Sequence, residues 1–295
     1  MTEIPGRSTD QPADVRTDVP AGAAPENDPQ GGDPHDHSDP HGHGDPHDHS
    51  DHEHPPTGAD LVQDLVKGLS ILALLLPVLG VVLLLAILPL APTSPAALLL
   101  GIGLGAAHLA ALVVTSMFVA RTRKQLAVNP GLLAVRSILE EVLRVAAVLL
   151  ALLLWPADIR AELGVWVGAG AALVWLALAT AQTVSTRRRI ARPSEWSQDA
   201  VATLLSERVG ARGAVLMRLL DVVGTVTFHI GATVLVILSP VLVIGTAVLS
   251  IGSGLSTLVL QRRAPAERSR TPWAYAPLGI GLLTLALASL GLVGL

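Results

Sequence analysis

The chain of 295 residues is 51% hydrophobic and only 15% charged, and its mean hydropathy is +0.55. A soluble domain carries roughly 25% charged residues, so this composition indicates a polytopic membrane protein. No cysteine is present, which excludes disulfides, thiolate metal ligands and a cysteine nucleophile. Residues 1–60 carry a net charge of −12 and residues 61–295 a net charge of +8. We therefore expect an acidic tail over 1–60 followed by a membrane domain over 61–295.

A histidine–aspartate repeat with a period of about six residues occupies positions 33–54. Imidazole nitrogen and carboxylate oxygen are ligands for Zn, Ni, Co and Cu(II), so the repeat predicts contact with a divalent transition metal. The tail holds many Pro, Gly and Asp residues and almost no large apolar ones, so we expect it to be disordered. Metal binding should fall as the pH drops below the usual histidine pKa of about 6.5. The candidate ligands are His35, His37, His41, His43, His47, His49, His52 and His54.

Long apolar runs begin near Leu69 and predict an all-α bundle of about seven membrane helices. Asp60 is expected to cap a short amphipathic helix that precedes the first span. Ser239-Pro240 divides an apolar run that is too long for one span; the alternative is six crossings, with a re-entrant hairpin over 213–260. The predicted spans are about 69–90, 96–120, 137–155, 163–184, 213–238, 240–260 and 273–294, with a surface helix over about 195–209.

The distribution of arginine predicts the orientation. The loops after the second, fourth and sixth predicted spans are rich in arginine, whereas the alternate connections hold only Arg160. Basic loops stay in the cytoplasm, so we expect a cytoplasmic N-terminus and an outside C-terminus in the cytoplasmic (inner) membrane of a bacterium. The expected partners are the lipid bilayer and metal ions. Small-residue motifs such as Gly101-x-x-x-Gly105 and Gly164-x-x-x-Gly168 also suggest a homo-oligomer or other membrane subunits. Nucleic acid is not expected, because the basic loops are short and close to the membrane.

Ionisable residues inside a membrane are costly and are candidates for functional sites. His108 lies near the middle of the second predicted span and His229 in the middle of the fifth. Asp221, Thr225, His229 and Thr233 are spaced four apart, which places them on one helix face. We expect this stripe to line a path through the bundle and His108 to complete it. The alternative is two separate neutral histidines, each bonded to a backbone carbonyl or a threonine hydroxyl.

Charged residues on the third predicted span form a second pattern. Arg136, Glu140 and Arg144 are spaced four apart and predict a salt-bridge ladder. Glu141 has no partner at that spacing, so we consider it a candidate proton or cation ligand.

A His-Asp segment ahead of a membrane domain resembles the cation diffusion facilitators, whose second and fifth spans carry His or Asp ligands four residues apart. His108 and His229 stand in those spans, but Leu112 and Thr233 occupy the second ligand positions, so we assign no family.

We expect an integral membrane protein that transports or senses Zn, Ni, Co or Cu, with the tail capturing the metal. Nucleotide-binding and hydrolase motifs are missing from the sequence, so no enzyme is expected. One alternative is a non-transporting subunit or scaffold, whose tail buffers metal or recruits a partner. The least favoured alternative is a b-type haem protein with His108 and His229 as axial ligands.

Overall fold

The computed structural model describes residues 58–90, 95–121, 129–155, 160–192, 210–263, 265–268 and 270–293, and the single positions 194, 198 and 202. The tail over 1–57, with its eight candidate metal ligands, lies outside the described residues. Most of the predicted surface helix over 195–209 also lies outside them. The regular elements of the described part are helices, which confirms the all-α prediction.

Seven long helices run through the described part of the chain. Short helical turns flank the last two, at Pro240–Leu242, Pro265–Arg268 and Pro272–Ala274. The long helices are α1 (Gly58–Ile87), α2 (Pro95–Arg121), α3 (Pro130–Leu154), α4 (Arg160–Ile190), α5 (Ala211–Leu238), α6 (Val243–Gln261) and α7 (Ala276–Val293).

Six of these helices are long and apolar enough to cross a membrane: α1, α2, α4, α5, α6 together with its preceding turn, and α7. The predicted third span, α3, is 25 residues long but does not belong to this set, because Glu140, Glu141 and Arg144 lie within its apolar part. The predicted break at Ser239-Pro240 is confirmed, since α5 ends at Leu238 and a 3-10 turn begins at Pro240. The two helices flanking this break are each long and apolar enough to span a membrane. This favours two separate spans over the alternative of a re-entrant hairpin.

The start of the membrane domain differs from the prediction. A single helix, α1, begins at Gly58 and continues to Ile87, so the expected short helix and the first span are one element. Asp60 lies in the first turn rather than at the cap. Pro77 is accommodated inside the helix, as membrane helices permit when neighbouring groups satisfy the freed carbonyl. The apolar face of the predicted amphipathic segment therefore continues directly into the buried face of the span.

Helices α4 and α5 form the centre of the bundle. In their most apolar stretches 61% and 67% of residues are buried, against 17–28% for the other candidate spans. On α5 every residue from His229 to Ile237 is buried, which is typical of a helix that is apolar all round. The outer helices turn large apolar side chains outward, such as Leu74 at 71% and Leu153 at 81% exposure. This outward apolar surface suits contact with lipid.

Glycines allow the closest helix crossing. A Cβ on Gly101 of α2 would overlap the carbonyl oxygen of Val167 on α4, and one on Gly170 would overlap the carbonyl oxygen of Leu98. On the other side of α4, a Cβ on Gly168 would lie 2.8 Å from the Cα of Ile230. The small-residue motifs of α2 and α4 are therefore used for packing within the chain, and they hold the helices that carry the histidines close together.

Candidate functional site

Two histidines from different helices meet inside the bundle. The imidazole centroids of His108 on α2 and His229 on α5 are 5.6 Å apart. Both side chains are buried. The indole of Trp175 on α4 stacks on His229, with the ring centroids 5.7 Å apart and the planes inclined by 16°. The structure thus brings together the two histidines that the sequence singled out, and it adds an aromatic neighbour that sequence reasoning missed.

A backbone carbonyl fixes the tautomer of His108. Its Nε2 lies 2.9 Å from the carbonyl oxygen of Glu140 on α3, and because a carbonyl can only accept, Nε2 carries the hydrogen. In the neutral ring the lone pair is then on Nδ1, which is buried and has no hydrogen-bond partner among the described residues. This contact matches the alternative of a backbone-bonded histidine, and it is also the way in which metal-ligating histidines are usually oriented. His108 therefore has one nitrogen committed to the backbone and one available for a ligand.

A buried ion pair on α3 adjoins the two histidines. The side chain of Arg144 is fully buried, and its Nε donates to Oε2 of Glu141 at 3.2 Å. Its Nη1 donates to the carbonyl oxygen of His229 at 3.3 Å and to Oγ1 of Thr233 at 3.2 Å. The guanidinium carbon lies 5.3 Å from the ring centroid of Phe228. One guanidinium therefore connects the Glu141 carboxylate to the α5 backbone at His229.

The predicted ladder on α3 is only half correct. Arg136 pairs with Glu140 at 2.8 Å as expected, but Arg144 pairs with Glu141, three residues earlier, instead of Glu140. The physical reason is that Arg144 points into the bundle, where two oxygen atoms of α5 accept hydrogen bonds from it, whereas Glu140 already has an ionic partner. Glu141 therefore has an ionic partner three residues away, although it has none at the four-residue spacing considered in the sequence.

Helix α6 contacts this ion pair through one hydroxyl group. Oγ1 of Thr246 lies 2.7 Å from Oε2 of Glu141 and 3.1 Å from the carbonyl oxygen of Val243. A hydroxyl has a single hydrogen, and the shorter contact to a charged acceptor is the stronger of the two. Thr246 therefore stabilises the carboxylate that holds Arg144.

A cavity of about 500 Å³ is lined by His229 but not by His108. Three members of the predicted stripe line it, namely Asp221, Thr225 and His229. The fourth, Thr233, is fully buried and donates to the His229 carbonyl oxygen at 2.7 Å. The α6 residues Ser250 and Thr257 line the same cavity. Along this stripe the cavity lining therefore extends from Asp221 to His229 and does not include Thr233.

The part of the cavity near Asp221 carries mixed charge. Arg218 lies 3.3 Å from Asp221, and it also donates to the side-chain oxygen of Gln182. Arg136 and Glu140, the paired residues of α3, line the cavity as well. Each acid in this lining thus has a basic partner, so the described walls favour neither sign of charge strongly.

Several buried polar atoms of the cluster lack a partner in the described part of the chain. They come from four helices and include both donors and acceptors. Unpaired buried polar atoms are rare in native proteins and often indicate a water or ion binding site. They are His108 Nδ1, Glu141 Oε1, Arg144 Nη2, Trp175 Nε1 and His229 Nδ1.

A complete metal site is not formed in this conformation. Within the described ranges, no group of three or more His, Cys, Asp or Glu side chains is placed to hold one ion. Two imidazoles are in contact, but the Glu141 carboxylate is occupied by Arg144 and Thr246. A guanidinium next to the histidines also repels a divalent cation. The pair as it stands can supply two ligands of the four that Zn normally takes.

Sequence reasoning missed how Arg144 is used. An arginine in the interior of a predicted span is itself a signal of function. Because Arg144 is four residues from Glu140, we interpreted it as part of a salt-bridge ladder and did not consider it as a functional residue. The contacts made by Trp175 and the Glu140 carbonyl have no sequence signature, since they depend on how α2, α3 and α4 pack.

Comparison of the chain with protein-family models, with curated proteins and with solved structures finds no match.

Proposed function

We propose that this integral membrane protein moves or senses a divalent transition metal, with His108 and His229 as intramembrane ligands. The observation that carries the proposal is the contact of these two histidines, with 5.6 Å between their ring centroids, at a cavity that His229 lines together with Asp221 and Thr225. Of the ten histidines in the chain, these two lie in the helices that the structure describes. The repeat over 33–54 supports the same chemistry, because it offers eight further imidazoles.

The chemistry of the pair suits a passing ion. Imidazole binds Zn, Cu, Ni and Co, and the hydrogen bond from His108 to the Glu140 carbonyl leaves Nδ1 free to bind metal. Two protein ligands hold an ion less firmly than the four of a structural zinc site. Binding that is strong enough for entry and weak enough for release is what conduction requires. In this proposal the tail raises the local concentration of metal and the cavity admits it.

The arginine-rich loops support a cytoplasmic position for the tail. In that orientation the Asp221 part of the cavity, near the first turns of α5, is on the cytoplasmic side. The direction of entry is then from the cytosol through Asp221 and Thr225 to His229.

Flux measurement tests the proposal. Purified protein in vesicles that contain a zinc-sensitive dye should take up Zn²⁺, and His229→Ala and His108→Ala should each abolish the uptake. Thr257→Val, which alters the cavity wall without removing a nitrogen ligand, is the matched control and should retain most of the flux. Uptake that is equal in all four proteins would refute the role of the histidine pair.

A non-transporting subunit is the second candidate, because the buried Arg144 and the two-ligand pair are also consistent with a purely structural cluster. It predicts no flux in vesicles while the tail of the full chain still binds Zn²⁺.

A haem protein would use the same two histidines. A Soret band in the purified protein would assign haem.

A further inference from the structure

The cavity along the α5 stripe is larger than a metal ion requires. Its volume of about 500 Å³ falls within the range of about 300–1,000 Å³ that is typical of small-molecule sites, whereas one water molecule needs only about 10–15 Å³ of such space. An ion held by the two histidines would therefore leave most of the cavity unfilled. The volume suits an organic molecule. Small side chains on α6 leave this space open: Ser250, Ser253, Gly254 and Thr257.

One end of the cavity presents both signs of charge. Arg218 and Asp221 contact each other at 3.3 Å, and their side chains remain 37% and 51% exposed. A guanidinium has five N–H donors and a carboxylate has about four acceptor positions. The contacts of Arg218 with Asp221 and Gln182 use two of those donors. Both charged groups therefore retain hydrogen-bonding capacity for a ligand, and the pair of Arg136 and Glu140 repeats the combination on α3.

This lining suits a molecule that carries both charges better than it suits a simple ion. Among its described residues, the two arginines and the two acids cancel in net charge, so a cation and an anion are each attracted and repelled to a similar extent. A ligand with an ammonium group and a carboxylate can bind Asp221 and Arg218 at once through charge-assisted hydrogen bonds. An α-amino acid carries these two groups on one carbon atom, and residues three apart are neighbours on a helix surface.

The other end of the cavity is aromatic. Trp175 of α4 and Phe228 of α5 both line it, although the whole chain has only five Trp, two Phe and one Tyr. Phe228 follows Asp221 by seven residues, which places it two turns further on the same face of α5, about 10 Å along the helix axis. The indole of Trp175 is held in place by its stacking on His229. Aromatic rings pair favourably in offset or edge-on arrangements, so this end suits the ring of a ligand.

We propose that the cavity is a binding site for a free aromatic α-amino acid. The ammonium group of the ligand binds Asp221, its carboxylate binds Arg218, and its ring packs against Trp175 and Phe228. The proposal combines the volume of the cavity, the paired charges at one end and the aromatic residues at the other. It goes beyond the proposed function, because the amino acid binds through these four side chains without a metal ion.

Equilibrium dialysis of the full chain in lipid nanodiscs with radiolabelled L-phenylalanine tests the proposal. The measurement is made in EDTA, so that metal plays no part in it. Three unlabelled competitors each lack one group: phenethylamine lacks the carboxylate, 3-phenylpropionate lacks the ammonium group, and glycine lacks the ring. Each should compete at least about tenfold more weakly than unlabelled L-phenylalanine, because each loses one set of contacts.

Variants at the charged end locate the binding. Asp221→Asn and Arg218→Gln should each weaken L-phenylalanine binding at least about tenfold, and both should fold, because an exposed ion pair contributes little to stability. The matched controls Asp64→Asn and Arg160→Gln, at exposed positions of α1 and α4, should leave the affinity unchanged.

Three results would overturn the proposal: no saturable binding of L-phenylalanine, equally strong competition by 3-phenylpropionate, or unchanged affinity in both Asp221→Asn and Arg218→Gln. Zinc uptake in vesicles without amino acid tests the proposed function separately, so either proposal can fail while the other stands.

Discussion

The hydroxyl of Thr246 provides a direct test of the buried cluster, because one atom joins α6 to the ion pair of α3. Thr246→Val keeps the branched shape of the side chain and removes the donor that lies 2.7 Å from Glu141 Oε2. A hydrogen bond to a charged group contributes about 1.5–3 kcal/mol. For a chain of this size that loss lowers the melting temperature by about 3–12 °C.

Thermal unfolding in lipid nanodiscs, followed by circular dichroism, measures this shift. Thr257→Val is the matched control on the same helix, because Thr257 donates to the Ser253 carbonyl of its own helix and is exposed. Its expected effect is within about 0.5 kcal/mol. Equal melting temperatures for the two variants would refute the conclusion that Thr246 stabilises the buried carboxylate.

Three further predictions concern packing, orientation and the tail. Gly101→Ala should destabilise the protein by about 1–3 kcal/mol, because the added Cβ would overlap the α4 backbone. Gly103→Ala, whose added Cβ meets no atom within 4 Å, should stabilise the protein by up to about 1 kcal/mol. Equal melting temperatures for the two variants would contradict the tight α2–α4 crossing. Because the chain has no cysteine, single cysteine replacements report the membrane topology directly. Ser194→Cys should react with a membrane-impermeant thiol reagent only from the cytoplasmic side, and Arg160→Cys only from the outside. The reverse labelling pattern would contradict the predicted orientation. Zn²⁺ binding by the repeat over 33–54 should decline between about pH 7 and pH 5.5, since protonated imidazole cannot bind metal; equilibrium dialysis of the full chain checks this, and undiminished binding at pH 5 would exclude the histidines as the ligands.

The sequence predicted the architecture well where periodicity and length decide it. Apolar runs located the long helices, and Ser239-Pro240 marked the break between α5 and α6. Its errors follow from context. The start of α1 was placed too late, because aspartate is a common N-cap residue but Asp60 lies in the first turn of a helix that begins at Gly58. The predicted third span, α3, carries Glu141 and Arg144, whose burial as an ion pair could not be read from the sequence.

For the site, the sequence identified most residues but not their contacts. His108, His229 and the stripe from Asp221 were recognisable because polar residues in a membrane helix stand out. That the two imidazoles meet depends on the close crossings at Gly101 and Gly168, which spacing alone does not determine. The choice of Arg144 between Glu140 and Glu141 depends on side-chain direction, which no one-dimensional pattern contains.

The proposed function requires that His108 and His229 together bind a divalent transition metal. X-ray absorption of the full chain, with its tail histidines changed to Asn and loaded with Zn²⁺, tests it most directly. We expect one bound ion per chain with two imidazole ligands at about 2.0–2.1 Å, completed by oxygen ligands, and loss of that signal in His229→Ala. A spectrum without imidazole scattering, or a protein that retains no zinc, would contradict it.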